Sequence, residues 1–177
     1  LCGAFGITPA QAAAALAHTT VRGRFEVVEG LPGRTFLVDY SHNGLALTSA
    51  LKTLRAYHPH RLICVFGSVG GRTQGRRREL AEAASAWADY SILTSDNPDF
   101  EDPMAILRDI DAHMAPDSQY EIIPDRAEAI RAAVKMAQEG DIVLFAGKGH
   151  EDYQIIQGKK LHFVERDLIR EACRLLS

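Results

Sequence analysis

The chain has 177 residues, of which 46% are apolar and 24% charged, and 20 basic against 23 acidic side chains give a formal net charge of −3. That is about one domain's length with ordinary composition, which excludes a disordered chain, a collagen-like fibre and a disulfide scaffold. Near-balanced charge gives no reason to expect nucleic acid or a membrane as partner, and no apolar run approaches the roughly 18 residues of a membrane span.

The chain opens at Leu1 without a methionine or a basic stretch ahead of an apolar core. No signal peptide is expected at its start, and the sequence reads as a piece of a longer protein. Residues 1–20 are expected to be the remnant of a preceding domain followed by a linker. Thr8-Pro9 suits a helix start, and the alanine-rich run from Ala10 to His18 has high helix propensity. From Phe25 onward, strands and helices alternate. Phe25 to Glu29 and Thr35 to Asp39 read as strands around Gly-Leu-Pro-Gly, and Leu45 to Tyr57 as a helix with Leu47, Leu51 and Leu54 at helical spacing. Arg61 to Phe66 reads as a buried strand, Arg77 to Ala88 as a helix, Ser91 to Thr94 as a strand and Pro103 to Met114 as a helix. Tyr120 to Ile123 is an expected strand, Arg126 to Gln138 a helix and Asp141 to Ala146 a continuously apolar strand. A hairpin is expected over Gln154 to Phe163, turning at Gln157-Gly158, and a last helix over Asp167 to Leu176. The fold class is therefore α/β, Rossmann-like, with a mostly parallel sheet, helices on both faces and a C-terminal hairpin. Cys2, Cys64 and Cys173 are odd in number and form no C-x-x-C pair, so a reducing, cytoplasmic setting is expected.

In such a sheet ligands bind beyond the carboxyl ends of the strands, which directs attention to four polar loops. Asp39-Tyr40-Ser41-His42-Asn43-Gly44 brings together an acid, an aromatic ring and an imidazole. It reads either as a nucleotide contact or as a helix cap with a surface histidine. Gly67 to Arg78 combines glycines with Arg72, Arg76, Arg77 and Arg78. Glycines admit an anion close to the backbone, and guanidinium forks hold carboxylate or phosphate, so anion binding is favoured over a plain solvated loop. The run matches neither G-x-G-x-x-G nor G-x-x-x-x-G-K-[ST]. Thr94-Ser95-Asp96-Asn97-Pro98-Asp99 is also a common turn sequence. Ala146-Gly147-Lys148-Gly149-His150-Glu151-Asp152-Tyr153 is hard to account for as plain surface, since a lysine can hold phosphate and a glutamate an ammonium group. No metal site is expected: there is no H-E-x-x-H, and His58-Pro59-His60 reads as a surface turn.

Taken in order, these loops resemble the C-terminal domain of the Mur ligase family, most closely in members that add the third amino acid of the peptidoglycan precursor. The resemblance is carried by Gly23-Arg24-Phe25-Glu26, Asp39 to His42, Val65-Phe66-Gly67 with Gly70-Gly71-Arg72, Asp96-Asn97-Pro98, Asp125 to Ile130 and, most specifically, Ala146 to Gln154. It implies a three-domain ATP-dependent ligase, with residues 1–20 the tail of its central ATPase domain and 21–177 the amino-acid-binding domain. A P-loop and magnesium ligands would lie on the central domain, so this chain alone should not ligate. By motif position, the resemblance assigns Arg72 to the incoming α-carboxylate, and Asp96, Asn97, Pro98, Asp99, Gly147 and Glu151 to the rest of the amino acid. It assigns Arg24, Asp39, His42 and Lys148 to ATP and its phosphates, no catalytic residue to this chain, and UDP-MurNAc-dipeptide to the other domains. Members that add meso-diaminopimelate have an arginine after Asp-Asn-Pro to clamp the distal carboxylate. Asp99 stands there instead, which points to L-lysine or ornithine unless Arg76, Arg77 or Arg78 supplies the clamp. The reading from a different class is a stand-alone nucleotide-sensing or interaction module. Folylpolyglutamate synthetase is a within-class alternative, and a dinucleotide oxidoreductase a distant third.

Overall fold

A computed structural model of the chain describes residues 2–16 and 20–176. A short 3-10 helix, Cys2–Phe5, precedes α1, Pro9–Leu16; the expected end of that helix at His18 lies outside the described residues. Strands β1, Glu26–Val28, and β2, Thr35–Asp39, form an antiparallel pair. Then follow α2 (Gly44–Arg55), β3 (Leu62–Phe66), α3 (Gln74–Trp87), β4 (Tyr90–Leu93), α4 (Pro103–Asp111), β5 (Tyr120–Ile122), α5 (Arg126–Met136) and β6 (Ile142–Ala146). The hairpin strands β7 (Tyr153–Ile156) and β8 (Lys159–His162) and the helix α6 (Glu165–Arg174) complete the described elements.

One six-stranded sheet runs in the order β1-β2-β6-β3-β4-β5, parallel except for β1 at its edge. Helices cover both faces, as the continuous apolar runs require. Leu62, Cys64 and Phe66 of β3 join Leu144 of β6 and Leu47, Leu51, Leu80 and Leu107 of α2, α3 and α4. The alternate residues Ile63, Val65, Val143 and Phe145 pack with Ile130 and Val134 of α5 and Ile169 of α6. Period-two alternation thus splits each buried strand between two cores. Cys64 is a small apolar residue of the first core, and burial pushes its thiol up to about 12.

Local chemistry fixes the element ends. Asn43, Asp102 and Asp125 accept from the backbone N–H groups of Ala46, Met104 and Glu128, which caps α2, α4 and α5. The hairpin turns at Gln157-Gly158, both with positive φ (49° and 73°), as a two-residue turn between right-twisted strands demands. Most expected boundaries shift by one to three residues, and three of the shifts are instructive. The first strand loses Phe25, whose φ of 44° is incompatible with extended backbone. Helix α3 begins three residues early, at Gln74 rather than Arg77, because the arginines continue the helical turn started after Thr73. Helix α4 ends at Asp111 rather than Met114, the following residues forming turns.

At the amino ends of the strands, Asp141 fastens the sheet. Its side chain is 0% exposed and receives two donors from Arg61, Nη2 at 2.6 Å and Nε at 3.1 Å, together with the Gln138 N–H at 2.8 Å. Burial pushes this carboxyl up, but the hydrogen bonds from Arg61, Gln138 and His60 outweigh it and hold it below the ordinary aspartate range. A depressed folded value means stability that is present above the unfolded value, about 3.9, and lost as pH falls through the folded one. Asp141→Asn is therefore expected to lower the urea midpoint at pH 7, with the gap to wild type closing as pH is lowered from 5 toward 2. A gap that stayed constant over that range would contradict this role.

Candidate functional site

Register levels the strand ends. Asp39 of β2 pairs with Ala146 of β6, Phe66 of β3 with Leu93 of β4, and β3 lies beside β6. The loops after β2, β3, β4 and β6 therefore leave the sheet side by side. They enclose a cavity of about 420 Å³ lined by Tyr40, His42, Val69, Gly70, Gly71, Arg72, Arg76, Asp96, Asn97, Asp99, Gly147, Glu151, Tyr153 and Ile155. A larger cavity, about 580 Å³, lies at the opposite ends of the strands between Val27, Leu37, Leu54 and Tyr57. It is mainly apolar, and the carboxylate at its edge, Asp141, is already held by Arg61. The polar cavity is the better candidate, since a few convergent charged groups give a site its orientation.

Two glycines make the walls meet. A Cβ on Gly70 would lie 2.0 Å from the Pro98 carbonyl oxygen, and the Gly70 N–H donates to Asn97 O at 2.9 Å. A Cβ on Gly147, whose φ is 111°, would lie 2.7 Å from Asp96 Oδ2. Only glycine lets these loops close on each other.

Below the cavity sits a buried polar knot. Lys148, 0% exposed, donates from Nζ to Asn97 Oδ1 at 2.8 Å and Glu151 Oε2 at 3.0 Å, and stands 3.7 Å from Asp96 Oδ1. Asn97 Nδ2 donates to the same Glu151 oxygen at 2.9 Å, while Asn97 Oδ1 also accepts from the Ile155 N–H at 3.0 Å. Asp96 is 2% exposed, and its Oδ1 has no hydrogen-bond partner. Burial pushes the Asp96 carboxyl above its ordinary range, with Glu151 adding to the shift and Arg126 and Lys148 opposing it. A buried acid short of a donor, beside a second acid at the cavity wall, is suited to an ammonium group.

The structure brings seven of the sequence-assigned residues round this one cavity: His42, Arg72, Asp96, Asn97, Asp99, Gly147 and Glu151. Four others lie off its wall. Pro98 supplies the backbone that Gly70 abuts. Asp39 is buried, its carboxylate accepting from the Phe25 N–H, the Ser41 N–H and the Ser41 hydroxyl. Arg24 lies over the Tyr40 ring, 4.6 Å from its centroid, and Tyr40 also touches the rings of His42 and His150. Lys148 departs furthest from its assignment as a phosphate neighbour. An ammonium with no solvent exposure, donating to an amide and a carboxylate of the protein, is turned away from a phosphate outside.

The fork at Arg126, within a stretch that carries the resemblance, received no role from the sequence. It is 0% exposed and donates to Glu165 Oε1 at 2.8 Å, Ala146 O at 2.9 Å and Ser95 O at 3.2 Å, bracing the loops that carry Asp96 and Gly147. One signal was available: a cation in the first turn of a helix opposes the macrodipole and needs another reason to be there. Among the described residues no group of three or more His, Cys, Asp or Glu side chains could hold a metal ion, and no helix is long and apolar enough to cross a membrane.

Residues 23–149 match a family described as Mur ligase, glutamate ligase domain. A UDP-N-acetylmuramoyl-L-alanyl-D-glutamate--2,6-diaminopimelate ligase of Geobacillus thermodenitrificans (strain NG80-2) is 46% identical over 175 residues, covering 98% of this chain and 36% of that protein. A ligase of the same name from Prochlorococcus marinus (strain NATL2A) is 44% identical over 151 residues, covering 85% of this chain and 29% of that protein. The chain thus spans about a third of the length of these relatives. A solved structure of a 2,6-diaminopimelate ligase of that description superposes with a TM-score of 0.83 at 38% identity, over 98% of this chain and 36% of that one. A MurF ligase from Thermotoga maritima in complex with ADP shares the fold, with a TM-score of 0.65 at 18% identity over 99% of this chain and 36% of that one.

Proposed function

The chain belongs to the Mur ligase family, through its glutamate ligase domain, and from that premise we propose that it is the amino-acid-binding domain of an ATP-dependent amide ligase. That ligase joins a diamino acid to UDP-MurNAc-L-Ala-D-Glu in peptidoglycan synthesis, in the cytoplasm. Residues 1–20 are the end of the preceding ATPase domain and 21–177 the amino-acid-binding domain. Magnesium and the phosphates of ATP are held mainly by the rest of the ligase, so the isolated chain does not ligate.

One observation carries the reading: Arg72 and two acids, Asp96 and Glu151, line a single cavity at the strand ends. That arrangement suits a zwitterion, its carboxylate on the fork and an ammonium group on the acids. The domain's part in ligation is then to hold the attacking amine in place while the acyl phosphate forms elsewhere. At the rim, exposed Arg24 and half-buried His42 fit the edge of a nucleotide, and Asp39 serves by holding the loop that carries His42.

Of the possible diamino acids we favour 2,6-diaminopimelate. The case for L-lysine or ornithine rested on Asp99 as a free acid facing the ligand. Its Oδ1 accepts instead from the Gly158 N–H at 2.8 Å, and its backbone pairs with the hairpin through Ile155 and Gln157. The relatives named above are 2,6-diaminopimelate ligases.

The test is steady-state phosphate release by the full-length ligase, with ATP, the UDP-linked dipeptide and each amino acid in turn. Turnover is expected with meso-diaminopimelate and at lower kcat/KM with L-lysine; higher kcat/KM with L-lysine would restore lysine, and turnover with no diamino acid would overturn the reading. Glu151→Ala should raise the amino-acid KM by roughly 10- to 100-fold, the loss of one hydrogen bond to a charged group, with a far smaller change in the ATP KM. Equal changes in the two constants would remove Glu151 from the amino-acid site.

A further inference from the structure

The proposed preference for a diamino acid with two carboxylates leaves one acceptor unexplained. Such a ligand needs a second cation, and the position that supplies it in the resembling ligases is Asp99 here. That residue is committed to the hairpin: its φ is 53°, its N–H donates to Ile155 O at 3.0 Å, and its carbonyl accepts from the Gln157 N–H at 2.7 Å.

Three consecutive arginines open α3, and their surroundings separate them. Arg77 is 3% exposed and clamped between Glu101 and Asp109, each at 2.6 Å. Arg78 lies on the solvent face, its Nε 2.7 Å from Glu82. Arg76 turns the other way and lines the polar cavity together with Arg72. Among the described residues neither of these two guanidinium groups has a carboxylate partner.

Arg76 also stands in the first turn of α3, where a cation opposes the helix dipole. No side chain caps that turn: Thr73, at the N-cap position, makes no cap hydrogen bond. A bound carboxylate would relieve both conditions, meeting the fork of Arg76 and the positive end of the helix together. The same cavity holds the buried Asp96, whose Oδ1 has no hydrogen-bond partner and lies 3.7 Å from Lys148 Nζ. The two forks match the two carboxylates of a diamino diacid, while Asp96 and Glu151, which share the single ammonium of Lys148, leave negative charge for a ligand ammonium group. Lysine, whose terminal carbon carries an ammonium group and no carboxylate, would leave one fork without an anion.

Resting on the ligase reading above, we infer that Arg76 is the specificity residue that receives the second carboxylate of a 2,6-diamino diacid, in place of a clamp at position 99. Arg76 touches substrate but takes no part in acyl transfer.

The experiment uses the full-length ligase as wild type, Arg76→Ala and Arg76→Lys, with meso-diaminopimelate and ATP varied separately. Arg76→Ala is expected to raise the KM for meso-diaminopimelate by roughly 10- to 100-fold, the size of one charge-assisted pair. The KM for ATP should change by less than about twofold, below the tenfold that 1.4 kcal/mol represents. Arg76→Lys should recover part of the loss, since it keeps the charge and loses the fork. A meso-diaminopimelate KM unchanged in Arg76→Ala would overturn the inference and leave the ligase reading standing. Equal rises in both KM values would overturn it as well, by showing a structural role. A wild-type enzyme that does not use meso-diaminopimelate would remove the reading and the inference together.

Discussion

Lys148→Met is expected to destabilise the protein by about 3–5 kcal/mol, the cost of breaking a buried ion pair from one side. The ammonium is the only described cation within 4.0 Å of either Asp96 or Glu151. Methionine fills much of the same volume and cannot donate, so the change removes charge with little change in packing. Asn97 Oδ1 would lose one of its two donors and Glu151 Oε2 one of its two. Asp96 already has its carboxyl raised by burial, and with Lys148 gone one of the three groups opposing that rise, Arg126, Lys148 and His42, disappears. The sign of the pH dependence follows. An acid whose folded value lies above its unfolded one binds a proton more tightly when folded, so folding is favoured as pH falls through that range and disfavoured as it rises. The variant should therefore recover stability on going from pH 8 to pH 5, relative to wild type. Urea unfolding at the two pH values measures this; an unchanged midpoint at pH 8 would show that the lysine is dispensable to the knot.

A comparable loss, again about 3–5 kcal/mol, is expected for Arg126→Met. Glu165 would be left 1% exposed without its only described ion pair, and the Ala146 carbonyl would lose its side-chain donor. The remedy distinguishes charge from packing. Replacing the whole pair, Arg126→Met with Glu165→Leu, should regain much of the loss, because no buried charge is then left alone. If the double variant were as unstable as the single one, the importance of Arg126 would lie in its bonds to Ser95 and Ala146 rather than in the ion pair. Loosening those two loops should also weaken the cavity, since they carry Asp96 and Gly147.

Much of the architecture was legible in the sequence because its central strands are apolar throughout. RLICVF and DIVLFA have no polar face, which only a strand covered on both sides can use, and both became interior strands of a parallel sheet. The hairpin announced itself through Gln157-Gly158. The strand-end rule then pointed to the rim where the polar cavity lies, and the glycines of the loops marked where backbones had to meet. What the sequence hid was the direction of side chains. Lys148 and Arg72 both lie in glycine-rich loops at strand ends, yet one is fully buried and the other exposed. Asp99 read as a free acid because its partners, the amides of the hairpin, lie more than fifty positions further along the chain. The helical phase of α3 decided the fate of Arg76, Arg77 and Arg78: three neighbours on a helix point about 100° apart, so each meets a different environment.

The strand order has a consequence for how the chain is made. The central strand β6 joins β2 on one side and β3 on the other, and it comes last in sequence among the six. On a ribosome, β2 and β3 would emerge long before the residues that unite them, each with an open edge. Until residues 142–146 are released the nascent polypeptide holds two half-sheets with no seam, and a stall in translation before that point leaves sticky edges for a chaperone to guard.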